Sequence, residues 1–439
     1  MTRTGCFVAL VLVAGAAAPA LAQQDTIRLG VHGASVSQPG LVVLAGAGLD
    51  SVRAIVQRDL ENSDRYTVAH LSDSAGTLHG PFDPKLLQAT GGGLTWAVEL
   101  EPAIGGVDIK LYDVATGVVR QEATKPADLS GVGDSRITVH RVSDLIVSWT
   151  GGIGIAATRI AFKLRDGKDD AIWRIDSDGA NLVRVSRTGF ITMTPTWSPD
   201  GSAIAYSETD TGRWKLYLQK LGSSVRAQVP TSGPGDAYGP AFSPDGKTLV
   251  FVHGMEKGAD LEAVDISRMC CTRRITHDAP LADNLSPAYS PDGQRIAFVS
   301  NRTGTPEVYA VDQDGTSRSL LVESRFDPNG KALPTYSPAW SPDAARVAFA
   351  RETDAGGRQL YTSSVGSGQI VQLTATGRNE DPSWAPDSRH LVFKSTRSGR
   401  EQLWIWDIVS GASRQLATPG GAQYPAWSHT LGSGTSTNP

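Results

Sequence analysis

The chain has 439 residues, more than one ordinary domain holds, so two compact units are expected. Its 41 Lys and Arg stand against 45 Asp and Glu, a net charge of −4 that argues against a nucleic-acid binder with its basic face. Gly (47) and Pro (25) are interspersed through a chain that is 40% hydrophobic, a composition that excludes disorder and long helices and favours many short strands.

At the N-terminus, Arg3 precedes an unbroken small-apolar stretch over 6–18, and Ala20-Leu21-Ala22 fits a small-x-small cleavage site. The pattern predicts a signal peptide over 1–22, a mature chain from Gln23, and an apolar run too short to cross a bilayer. No second apolar segment follows and no Cys follows the run to carry a lipid, so no direct membrane insertion is expected.

Residues 23–149 show no repeat and read as a small α/β domain. Segments 26–31 and 41–44 are expected as short strands, and Leu49, Val52, Ile55, Val56 and Leu60 follow helical spacing. Segments 94–100, 107–114 and 118–124 alternate like an antiparallel meander. Val142, Leu145, Ile146 and Trp149 predict a second helix that leads into the joint Thr150-Gly151-Gly152-Ile153-Gly154.

From residue 150 to 428 repetition dominates. Pro195-Thr196-Trp197-Ser198-Pro199-Asp200-Gly201 recurs as 240–246, 287–293, 338–344 and 382–388, and as a truncated copy, Pro425-Ala426-Trp427-Ser428. The aromatic positions 197, 242, 289, 340, 384 and 427 are 45, 47, 51, 44 and 43 residues apart, the length of a four-stranded propeller blade. Ser-Pro-Asp-Gly suits a type I turn, and an alternating strand follows each copy, as in Ile204-Ala205-Tyr206 or Ile296-Ala297-Phe298. The recurring Trp and Tyr are read as packing between blades rather than as a ligand cage. Residues 159–183 hold strands without a leading Pro-x-Trp-Ser, and 425–428 is that strand without the others. Joining them makes six blades and a ring with no open edge. The expected fold is therefore mainly β, a six-bladed β-propeller behind an α/β domain, with 429–439 as a flexible tail.

Outside the signal only the adjacent pair Cys270-Cys271 remains, either a vicinal disulfide or two thiols in a hairpin turn. No Ser has Gly at both −2 and +2, and no His-Glu-x-x-His occurs, so neither a nucleophile elbow nor a zinc-protease helix is present. Catalysis, cofactor and metal are not expected. A peptide- or sugar-binding propeller and the gating propeller of a peptidase are the alternatives.

The pieces together resemble the TolB family of the Tol–Pal cell-envelope system. The resemblance is carried by the Pro-Asp repeats, by Ile55-Val56-Gln57-Arg58-Asp59-Leu60-Glu61-Asn62-Ser63, and by Thr150-Gly151 followed by Thr158-Arg159-Ile160-Ala161-Phe162. Residues 33–40 depart from the family's usual opening, and Ala344, Ser388 and His429 break the repeat turn.

The resemblance implies a periplasmic, non-enzymatic protein that joins the outer-membrane lipoprotein Pal to TolA of the inner membrane. It also implies a part in outer-membrane integrity and in constriction at division. It places TolA binding at the mature N-terminus, here Gln23, Gln24, Asp25, Thr26, Ile27, Arg28 and Leu29. It places Pal binding at one propeller mouth, on the residues before each Pro-x-aromatic-Ser. These are expected as loop residues: Asp236, Tyr238, Gly239, Asp283, Asn284, Ser286, Glu380, Asp381 and Tyr424. Their carboxylates are expected to make that rim negative, suited to a partner with exposed Lys or Arg.

Overall fold

Six copies of a four-stranded antiparallel unit account for the repeat. The computed structural model describes residues 38–431 apart from 72–75, 79–82, 84–86, 88–92, 129–132, 167–168 and 210–211. The expected signal, the strand at 26–31 and the candidate segment 23–29 lie outside the described residues. The inner strands of blades two to six are Ile191–Trp197, Asp236–Phe242, Asn284–Tyr289, Thr335–Trp340 and Asn379–Trp384. Each pairs antiparallel with the strand after its Pro-Asp turn. Six equivalent aromatics on those second strands, Phe162, Tyr206, Phe251, Phe298, Phe349 and Phe393, are fully buried and fill the layers between blades.

The first blade is built from both ends of the array. Gly421–Trp427 pairs antiparallel with Arg159–Asp166, which pairs with Asp169–Asp176 and then Val183–Arg184. The last strand of the sequence is thus the inner strand of the first blade. The tail does not begin at 429 as expected: Leu431 is buried, and its N–H donates to the Ala157 carbonyl at 2.9 Å. It also sits under Gly201, so residues 429–431 continue the closure.

The repeat turns keep their shape where the sequence departs from glycine. Gly201, Gly246 and Gly293 have φ near +70°, and Ala344 and Ser388 take the same left-handed region at 58° and 55°. The Ser hydroxyl at the turn's start donates to the Asp carboxylate two residues on, at 2.6 Å for Ser198–Asp200 and Ser243–Asp245. Ser341 makes the same bond to Asp343 in the Ala344 turn, whereas the Ser388 turn starts at Ala385 and is held by Asp387 Oδ1 accepting the Arg389 and His390 N–H groups. Cys270 and Cys271 are joined as a vicinal disulfide at the start of the outer strand of blade three.

The N-terminal domain is one mixed sheet with two helices on a face. Its elements are β1 (Gly40–Gly46), α1 (Asp50–Asn62), β2 (Thr67–Ala69), β3 (Thr77–Leu78), β4 (Leu94–Ala103), β5 (Gly106–Asp113), β6 (Val118–Pro126) and α2 (Arg136–Trp149). β1 is parallel to β2, β3 and β4, and β4–β5–β6 form the expected meander. Val52, Ile55, Val56 and Leu60 of α1 and Val139, Val142 and Ile146 of α2 pack on Leu41, Val43, Val98 and Ile109. The 3.6-residue spacing of those apolar positions gives each helix one buried face.

Ring closure makes a direct prediction. A chain ending at residue 420 leaves the 159–166 strand unpaired on one side and two sheet edges open. It should lose the single cooperative thermal transition of the full chain or aggregate on heating. A truncated chain that melts like the full one removes the closure.

Candidate functional site

The residues before each proline are not loops. They are the first half of the inner strands, and each strand carries a register shift that spans its proline: Met193/Thr196, Tyr238/Ala241, Leu285/Ala288, Tyr336/Ala339, Glu380/Ser383 and Gln423/Ala426. The residue before the proline has a left-handed φ of 50–62° in all six blades: Thr194, Gly239, Ser286, Ser337, Asp381 and Tyr424. Proline donates no hydrogen bond, so the ladder is interrupted there, and the extra residue turns its side chain into the channel.

Two cavities meet at the ring of six buried prolines. One, of about 340 Å³, is lined by the six pre-proline residues together with Met193, Tyr238, Val252 and Leu285. The other, of about 460 Å³, is lined by Trp197, Phe242, Tyr289, Trp340, Trp384 and Trp427 and by the turn prolines. The aromatics do pack between blades as expected: Trp197 donates its indole N–H to Ala426 O at 3.0 Å, and Trp384 to Ala339 O at 3.1 Å, in each case on the preceding inner strand. They also wall this end of the channel.

The α/β domain sits on the aromatic side. Arg389 and His390, which follow the turn of blade six, reach Asp64, while Arg136 and Arg58 reach Asp178 in blade one. The pre-proline mouth faces away from these contacts.

The structure divides the nine candidate mouth residues. Gly239, Ser286, Asp381 and Tyr424 line the channel, and Tyr238 stands half-buried beside them. Asp283 borders a smaller cleft between blades four and five with Leu285, Asn301 and Tyr336, and its carboxylate accepts from Asn301 Nδ2 at 3.1 Å. Asp236 accepts the Trp214 N–H of the preceding blade at 2.8 Å. Asn284 and Glu380 are buried. Asn284 donates to Asp260 Oδ1 at 3.0 Å and accepts from Arg302, holding blades three and four together.

Glu380 is enclosed by cations: Arg358 Nη1 at 2.7 Å, Arg378 Nη2 at 2.8 Å, and Lys394. Burial alone would raise its carboxyl, but these partners hold it below the usual carboxylate range. Glu380 is therefore neutralised by partners rather than open at the rim as expected, and two of those partners, Arg358 and Lys394, also reach Glu352 and Glu401. Asp381 is different: burial lifts its carboxyl above the usual range, and Ser337 Oγ donates to it at 2.9 Å.

Thr194 and Ser337 belong to the same ring and were not among the candidates. The signal was available, since each directly precedes a repeat proline just as Ser286 does.

The architecture is that of a closed six-bladed propeller with an α/β domain on one face and an open channel mouth on the other. The family described as the TolB beta propeller domain matches residues 148–331 and 323–433, and the chain belongs to that family. A Tol-Pal system protein TolB of Gluconobacter oxydans (strain 621H) is 28% identical over 407 residues, 89% of this chain and 85% of that protein. One of Bordetella avium (strain 197N) is 27% identical over 221 residues, a match that spans 49% of this chain and about half (48%) of that protein. The crystal structure of TolB from Acinetobacter baumannii superposes with a TM-score of 0.77 at 24% identity, over 89% of this chain and 97% of that one, which shows the shared fold.

The cation cage makes a prediction. Glu380→Gln leaves three cations around a neutral amide and should lower stability by about 2 kcal/mol in urea unfolding at neutral pH. Because the folded carboxyl lies below its ordinary value, its contribution is present above the unfolded pKa and lost as pH falls through the folded one. The gap between variant and wild type should therefore close in acid. A constant gap would mean that lost packing, not charge, is responsible.

Proposed function

We propose that this chain is the periplasmic protein-interaction component of a Tol–Pal system, exported by a cleaved signal peptide. It links a Pal-like outer-membrane lipoprotein at the pre-proline mouth to a TolA-like inner-membrane protein at the segment 23–29. It thereby supports outer-membrane integrity and constriction during division. It works as a scaffold and not as an enzyme.

The observation that carries this reading is the open mouth, a rigid channel entrance free of the α/β domain on a chain of the TolB family. Rigid scaffolds commonly present binding residues in this way. Tyr238 and Tyr424 are the anchors: each is half-buried with its phenol kept neutral, chiefly by burial and next by a neighbouring carboxylate, Asp283 and Asp381 respectively. Tyrosine buries a large rigid surface at small entropic cost, which is why it is enriched among residues that dominate interfaces. Asn284 and Glu380 shape the mouth from behind. No helix among the described residues is long and apolar enough to cross a membrane.

Capture of a purified Pal-like domain tests the mouth. Tyr238→Ala and Tyr424→Ala should each weaken it about thirty-fold, ~2 kcal/mol, and Asp283→Ala should flatten its salt dependence. Deleting 23–29 should abolish capture of a TolA-like protein and leave Pal capture intact. Pal binding that survives both Tyr changes at low and high salt moves the site elsewhere.

A further inference from the structure

Two histidines lie between the α/β domain and the propeller, and neither is used by the mouth. His390, in blade six, is completely buried. Its Nδ1 meets Asp387 Oδ2 at 2.7 Å within the blade, and its Nε2 meets Asp64 Oδ2 at 3.1 Å, from the turn after α1. His140, on α2, is also completely buried. Its Nδ1 meets Asp59 Oδ2 of α1 at 2.8 Å, and its Nε2 has no hydrogen-bond partner but faces Asp176 Oδ2 of blade one at 4.0 Å.

A carboxylate only accepts, so an imidazole with a carboxylate at each nitrogen satisfies both only when both nitrogens carry protons. In each case one of the two carboxylates comes from the α/β domain and the other from the propeller. The proton on each ring is therefore what makes these two histidine contacts between the units attractive, beside the Arg–Asp pairs that cross the same boundary. We propose that His140 and His390 form a proton-operated latch that fastens the α/β domain to the propeller and loosens as rising pH removes their protons.

The surrounding charges support this. Facing His140 are Asp59 from α1, Asp176 and Asp178 from blade one, and on α2 Ser143, which donates to Asp59, and Arg136, which pairs with Asp178. Arg58 also reaches Asp178, and Arg159 and Asn181 hold Asp176. Facing His390 are Asp64, Asp387 and Asp407, the last paired with Arg389 at 2.6 Å. Arg414, buried between the two groups, feels Asp64, Asp178 and Asp59. Burial disfavours both imidazolium ions, but the carboxylates outweigh it and raise both rings above the ordinary histidine value. A raised folded value means the stabilisation is full below the unfolded pKa and disappears as pH rises through the folded one.

One other group in the interface titrates in this window. Asp144 of α2 accepts the Ala156 and Ala157 N–H groups of the joint at 2.8 and 2.9 Å, and burial pushes it up to about 7.

Hydrogen exchange on the full chain tests the latch. Protection of the joint 150–158 should fall about five-fold between pH 6.5 and 9, after correction for intrinsic rates, while strand 248–254 keeps its protection. Asp144→Asn should keep the fall, and His140→Gln with His390→Gln added to it should give a joint that is open and indifferent to pH. A wild-type joint that does not respond overturns the latch, as does a fall that vanishes in Asp144→Asn or persists when both histidine changes are added to it. If the triple variant does not fold, Asp64→Asn and imidazole NMR decide. The His390 titration should move down toward the ordinary histidine value, and an unmoved titration overturns the proposal.

Discussion

Everything else in the propeller depends on the pairing of 421–427 with 159–166. Without it the 159–166 strand offers unpaired N–H and C=O groups to any passing strand. Strand 421–427 covers that edge, completes the sixth four-stranded unit and closes the ring. The closed ring encloses the channel, and the channel brings six pre-proline residues, scattered over more than half of the sequence, to one mouth. Leu431 under Gly201 adds a plug where the closing strand ends. Because the closing strand is the last in the sequence, the first blade is completed only by a contact across the whole array, a high-contact-order step that slows folding.

The fold was legible because its signals are periodic and repeated. Pro-x-aromatic-Ser-Pro-Asp occurs often enough that the period, the blade count and the closing strand follow from spacing alone, and the helix faces follow from Val52, Ile55, Val56 and Leu60. The site was legible only in outline. Sequence places Asn284 and Glu380 beside the mouth residues, but the two-residue period of a strand hides which side each faces. The position three before the proline is buried in every blade, as Thr192, Ala237, Asn284, Thr335, Asn379 and Ala422. Nor does sequence show that Arg358 of the preceding blade and Lys394 of the next strand converge on Glu380 beside its near neighbour Arg378. That convergence is a product of the closed ring.

The two faces of the ring have different chemistry. The face under the α/β domain is held by a dense network of Asp, Arg and His from α1, α2 and blades one and six, with direct hydrogen bonds across the boundary. The six pre-proline residues of the opposite mouth are small hydroxyls, a glycine, a tyrosine and one carboxylate, with Tyr238 beside them and the ion pairs of Glu380 behind. The charges of the first face thus join the two units, whereas those of the mouth lie behind a mostly uncharged lining.

The left-handed pre-proline positions also bear on orientation. A partner that approaches a six-fold ring meets six rotations related by 60°, and identical blades would make them equally good. The backbone repeats, but the side chains it turns inward do not. Asp381 of blade six lies across the ring from Gly239 of blade three, so a carboxyl group faces a gap, and Tyr424 of blade one stands next to Asp381 as the bulkiest member. The hairpin Arg325–Phe326 and Ala332–Leu333, the insertion behind the longest spacing in the repeat, marks one sector with an exposed Phe326. The mouth therefore works as a keyed socket, in which one residue per blade selects a single azimuth at no cost to the symmetric frame that carries it.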